Sequence, residues 1–183
     1  WMATVSFSAD HTPLQTPPGH LLSLGTRQKL AATLGSSGNL GTDCTNPAVQ
    51  RILSDAMIEA MDTELGRLLT STGLARKDNT GQLIYDPERT NTLIVIVGDN
   101  GSAGITVQFP FDMLRSKASP YQTGIWVPLM VSGPMVAQSN RDVSHLVSAA
   151  DVYGLFAEAA GLNPQEASRP NTIDSSPLMP YLR

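Results

Sequence analysis

The sequence is poor in cysteine, in charge of one sign and in long apolar runs, and each shortage excludes something. A single cysteine, Cys44, in 183 residues cannot close an internal disulfide, so the framework rests on packing alone. One thiol also leaves the redox compartment open. Lys and Arg number 12 against 16 Asp and Glu, giving a net charge of −4 and a pI near 5.2. That balance excludes a general polyanion binder, which needs a basic face. No apolar run approaches the roughly 20 residues that a membrane-spanning helix requires. The N-terminus shows neither the basic segment nor the cleavage signature of a secretory signal. Instead Trp1-Met-Ala-Thr-Val-Ser-Phe-Ser8 reads as a strand in full flow, so the chain is expected to be a fragment that starts mid-fold.

What is present is ordinary for a mixed α/β protein: 41% hydrophobic and 15% charged residues, with ample material for one core. After the opening strand, Pro17 and Pro18 hold the chain extended. Residues 26–34 suit a short helix, and the Gly, Ser, Thr and Asn of residues 35–46 read as a loop. Asn46 followed by Pro47 is a helix start with a mechanism, a side-chain cap before a pre-set φ. Val49, Ile52, Leu53, Ala56, Met57, Ala60, Met61, Leu65 and Leu68 then recur at three and four, the core stripe of a long helix ending near Gly73. Residues 76–91 are a polar connection, and residues 101–120 show no clear period. Gly124–Ser132 reads as a strand whose Pro128 assigns it to an edge or bulge. A second helix, about 149–160, carries Val152, Leu155, Phe156 and Ala159 on one face and stops at Gly161. The Pro- and Ser-rich tail from Asn163 reads as irregular. Strands alternating with helices predict a layered α/β sheet.

The most telling stretch is Thr92-Leu-Ile-Val-Ile-Val-Gly-Asp-Asn-Gly101. Its uninterrupted β-branched run predicts a central strand of a parallel sheet, buried on both faces. Ligands in open α/β sheets collect just beyond the carboxyl ends of the strands. Asp99 and Asn100 stand there as two hard oxygen donors side by side. A bare Asp-Asn pair after a strand is more often a turn or a helix cap. A calcium loop of the EF-hand type is excluded, because Gly101 falls where a ligand is needed.

Several segments together resemble one family. Phe7-Ser-Ala-Asp-His-Thr-Pro-Leu-Gln15, the helix Ala56–Leu69, Asn91–Gly101, Gly124-Ile-Trp-Val-Pro-Leu-Met-Val-Ser-Gly-Pro134, Val143–Tyr153 and Ile173–Leu182 are each similar, in order, to segments of type I sulfatases. The matches cover most of the chain. The resemblance implies the alkaline-phosphatase-like layered sheet flanked by helices, with residues 1–162 as the C-terminal part of the catalytic domain. Residues 163–183 would be a tail leading toward the rest of the family's C-terminal region.

By that resemblance Asp99 and Asn100 are two ligands of a Ca²⁺ ion, which takes oxygen donors. Two-zinc relatives carry Asp-His at this point, since imidazole suits zinc; Asp-Asn favours calcium and a sulfate ester. His11 matches the family histidine that hydrogen-bonds the ester near its leaving oxygen, a role imidazole can fill near neutral pH. Without the resemblance His11 is a surface loop histidine. Lys117 matches the lysine that contacts the sulfate as a point charge, and Arg115 is the reserve candidate; a solvated surface lysine is the plain alternative. The sequence departs from the family here, with Gln122-Thr123 where Glu-Gly is usual. His20 is assigned to a Pro-Gly loop, and His145 is expected to order the start of the last helix.

The family nucleophile, a formylglycine made from a Cys-x-Pro-x-Arg or Ser-x-Pro-x-Arg segment, is absent. Cys44-Thr-Asn-Pro-Ala-Val-Gln-Arg51 has Pro and Arg at the wrong offsets and follows His11, so Cys44 reads as an ordinary loop cysteine. Two further calcium-binding aspartates would also precede residue 1. The expectation is therefore a sulfatase fragment that binds calcium weakly and is inactive alone. Its expected partners are the missing N-terminal half and a sulfate-ester small molecule or sulfated carbohydrate, with no nucleic acid. A phosphonate or phosphate ester hydrolase on the same fold, and a non-catalytic module, are the alternatives. Family analogy suggests a periplasmic or secreted location.

Overall fold

The computed structural model describes residues 1–35 and 45–183, so Cys44 and most of the 35–46 loop lie outside the described residues. The chain is mixed α/β and divides into two compact units. The first comprises Trp1–Ile84 with Gly101–Ile125; the second comprises Tyr85–Asn100 with Trp126–Arg183.

In the first unit, α1 (Leu24–Leu34) and α2 (Pro47–Ser71) supply the core. The Asn46 side chain accepts the backbone N–H of Ala48 at 3.0 Å and of Val49 at 3.4 Å, so the helix starts where its capping chemistry requires. Gly73, at φ 74°, takes the left-handed turn after the last helical residues. The expected stripe is the buried one over its first half: Val49, Leu53, Ala56 and Ala60 pack with Leu14, Leu22, Leu30 and Leu34. Met61, Leu65 and Leu68 are only half-buried. Glu59 of α2 ties the two helices by accepting the Ser23 N–H at 2.5 Å and the Thr26 hydroxyl, which serves the open N-terminus of α1. Those donors, the Thr26 hydroxyl first, hold the Glu59 carboxyl below its usual range.

The polar connection contains structure that its composition hides. β1 (Ala75–Lys77) and β2 (Leu83–Tyr85) form a two-stranded sheet. Asp78 Oδ1 organises the turn between them by accepting from the Thr80 N–H, the Thr80 hydroxyl and the Gln82 N–H. A short α3 (Pro87–Thr90) follows, capped by Asp86.

In the second unit, β3 (Ile94–Val97) pairs with β4 (Leu129–Ser132), and the pairing is antiparallel. This corrects the expectation of a central parallel strand. The Ile94↔Ser132 to Val97↔Leu129 register runs on to a hydrogen bond from the Gly98 N–H to the Pro128 carbonyl at 3.0 Å. Pro128 lies just before β4, where only its carbonyl is called on. One face of the pair, through Leu93, Val95 and Val131, packs on Leu155, Leu178, Met179 and Leu182. Ile96 and Val97 are exposed. A run apolar on both faces conceals the alternation that normally marks a half-covered sheet.

α5 (Asp151–Ala159) sets Leu155 at the centre of this cluster. The tail is not wholly irregular: α6 (Pro164–Ala167) is capped by Asn163, and α7 (Met179–Leu182) packs on α5. At the other terminus, residues 1–8 form no strand and are exposed. No helix among the described residues is long and apolar enough to cross a membrane.

Candidate functional site

The four residues singled out by sequence fall two to each unit. Asp99 and Asn100 follow β3 in the second; His11 and Lys117 belong to the first. Both residues of the pair are exposed, and neither side chain makes a hydrogen bond or ion pair to another described residue. Among the described residues, no three His, Cys, Asp or Glu side chains gather as a metal centre would need. The donor chemistry of the pair suits a hard cation, but two side chains do not supply the six to eight oxygens calcium takes.

His11 lies on a turn anchored at both sides. Its N–H donates to the Ser8 carbonyl at 2.9 Å, and its Nδ1 lies 2.7 Å from the Thr12 carbonyl. The Asp10 carboxylate accepts from the hydroxyl of Ser54 on α2, and Leu14, 1% exposed, plugs into the core. The imidazole itself is exposed, with Nε2 unengaged. The surroundings are those of a surface loop histidine on a fixed backbone.

Lys117 lies in a loop whose lack of period in the sequence is explained by its bonding. Its backbone N–H donates to the Ser102 carbonyl at 2.8 Å, and the Ser102 N–H donates to the Thr123 carbonyl at 3.2 Å. The Thr123 hydroxyl donates to the Arg115 carbonyl. Gly101 and Gly124 are buried with their backbones in contact, and the Gly101 N–H donates to the Gly124 carbonyl at 3.0 Å. A Cβ on Gly101 would stand 2.2 Å from the Thr123 carbonyl oxygen, so only glycine fits. α4 (Gln122–Ile125) is the turn that brings Thr123 and Gly124 to this junction. Lys117 and His11 share a unit without a hydrogen bond between them, and the Lys117 ammonium is exposed and unpaired.

Arg115, the reserve candidate, is already engaged. Its Nε lies 3.6 Å from Asp112, and its guanidinium sits 4.5 Å over the Tyr121 ring. His20 is exposed. His145 does not order α5; its ring stacks on Tyr181 with centroids 4.0 Å apart. That ordering falls to Asp151, which sequence reasoning passed over. Asp151 is 4% exposed and accepts the Ser148 N–H at 2.7 Å and the Ser176 N–H at 2.6 Å. The available signal was an acid at the first helical position, where the helix dipole favours it.

No family profile, curated protein or solved structure matches this chain.

Proposed function

We propose that this chain is the C-terminal portion of a sulfuric ester hydrolase of the type I sulfatase family, whose complete fold is the alkaline-phosphatase-like layered sheet. The observation that carries this reading is the Asp99–Asn100 pair, two exposed and unengaged oxygen donors immediately beyond an apolar strand. In this role Asp99 and Asn100 would hold a calcium ion together with oxygens from a preceding segment of the protein. An ion held there would supply positive charge near a sulfate oxygen.

His11 and Lys117 are this chain's own contribution to the chemistry. His11, on its anchored turn, directs Nε2 toward the leaving-group oxygen; because Nδ1–H is committed to the Thr12 carbonyl, Nε2 gives up a proton there only from the doubly protonated imidazolium, which is left as the neutral ring. Lys117 places its ammonium against the sulfate from a backbone held by its N–H bond to the Ser102 carbonyl at 2.8 Å. The nucleophile, a formylglycine, comes from the preceding segment. The isolated chain therefore binds calcium weakly and turns over no sulfate ester.

The test is 4-nitrophenyl sulfate hydrolysis by the full-length protein and by its Asp99→Ala variant. We expect kcat/KM to fall about a hundredfold or more, as for loss of a preorganised charged contact, with the melting temperature unchanged. A variant that keeps wild-type turnover overturns the assignment. Faster hydrolysis of a phosphonate ester than of the sulfate would move the protein to the alternative chemistry. Measurable sulfate turnover by the isolated chain would contradict the incomplete site.

A further inference from the structure

Lys117 combines a free side chain with a tightly held backbone, and the residue that closes the holding network is Thr123. Four bonds make up that network, all within residues 101–124. The Lys117 N–H reaches the Ser102 carbonyl at 2.8 Å, and the Ser102 N–H reaches the Thr123 carbonyl at 3.2 Å. The Thr123 hydroxyl reaches back to the Arg115 carbonyl, two residues before Lys117. Between Arg115 and Lys117, buried Ser116 donates its hydroxyl to the Met113 carbonyl at 2.6 Å. The Ser116 carbonyl oxygen in turn lies 2.6 Å from where a Cβ on Gly124 would stand, so the chain closes on itself with no slack.

Thr123 thus holds Lys117 from two sides, through Ser102 with its carbonyl and through Arg115 with its hydroxyl. The carbonyl contact is open to any residue type. The hydroxyl contact is open only to Thr or Ser, which makes position 123 chemically specific. Contacts that must meet an anion work when their backbone is fixed before the ligand arrives.

We propose that Thr123 is the positioning residue for Lys117, fixing the lysine backbone so that its ammonium meets a tetrahedral oxyanion. This rests on the reading of Lys117 as the sulfate contact. Valine at position 123 keeps the shape and removes the hydroxyl; serine keeps the hydroxyl.

The experiment uses the full-length protein with Thr123→Val, Thr123→Ser, Lys117→Ala and the Thr123→Val/Lys117→Ala double variant. Two readouts are taken: hydrogen exchange of the Lys117 amide and kcat/KM for 4-nitrophenyl sulfate. Thr123→Val is expected to speed exchange and to lower kcat/KM about tenfold each, the scale set by one hydrogen bond. Thr123→Ser should restore both to within about twofold. In the Lys117→Ala background, Thr123→Val should cost nothing further, because it acts through the lysine.

An equal loss in both backgrounds means Thr123 merely supports the fold, and overturns the proposal. So does unchanged exchange and activity in Thr123→Val while the wild type is active. A wild type that hydrolyses no sulfate ester, or an unimpaired Lys117→Ala, instead overturns the functional reading beneath it.

Discussion

In the first unit, eight buried side chains from α1, α2 and the segment before them form an apolar cluster. In the second, the buried cluster among the described residues has four members with five half-buried side chains against it, where the first has three. Carboxylates serve both units, Glu59 at the start of α1 in the first, and in the second two that hold the segments on either side of α5. Asp151 accepts two backbone N–H groups, and Glu158 accepts those of Leu178 and Met179 at 3.1 and 3.3 Å. One unit is held by an interdigitated stripe, the other by α5 clasping the polar backbone of the tail. A thin core tolerates truncation and depends on its hydrogen bonds; a thick core shows the reverse.

The largest effect should come from opening the two cores at their centres. Leu53 and Leu155 are both 0% exposed. Leu53→Ala should cost about 4 kcal/mol and Leu155→Ala about 2–3 kcal/mol, because half-buried neighbours can collapse into the smaller cavity. Denaturant titration of each variant measures both, and equal losses would erase the contrast.

Next comes Asp151→Ala, which leaves the Ser148 and Ser176 N–H groups without their acceptor. A loss of about 2 kcal/mol is expected. Faster proteolysis within residues 170–183 should accompany it. If the tail stays protected, the clasp is not what holds it.

The smallest effect is the pH dependence of the α1–α2 tie. The Thr26 hydroxyl and the Ser23 N–H favour the carboxylate and hold the folded pKa of Glu59 below the ordinary glutamate value of about 4.3. Its stabilisation is therefore full above that value and is lost as pH falls through the lower folded value. Glu59→Gln should flatten the acid limb of melting temperature against pH below about 4.3. An unchanged limb would show that the tie is carried by neutral contacts.

Legibility from sequence followed the range of the interactions. The start of α2 was readable because Asn46 and Pro47 act on their own neighbours, and its stripe because helical period needs no partner. The antiparallel pairing of β3 was not, since Leu93–Val97 is apolar at every position and period says nothing about it. The Asp78 turn and the caps at Asp86 and Asn163 were legible in principle but were masked by a polar composition. The residue types at 11, 99, 100 and 117 could be named from order and chemistry. The network around Lys117 could not, because it runs through carbonyls and through Thr123, whose hydroxyl gives no hint of Arg115 as its acceptor.

The division of the chain has a consequence for the order in which it acquires structure. The first unit is interrupted by Tyr85–Asn100 and resumes at Gly101. A ribosome that has delivered α1 and α2 has not yet delivered the segment that completes that unit. At roughly 5–20 residues per second, the helical pair must wait seconds for Gly101–Ile125. During that interval Arg51, whose guanidinium will bond the Val107 carbonyl at 2.8 Å, has no such acceptor to meet. Neither unit is a continuous stretch of gene, so no single cut in the coding sequence releases one of them whole.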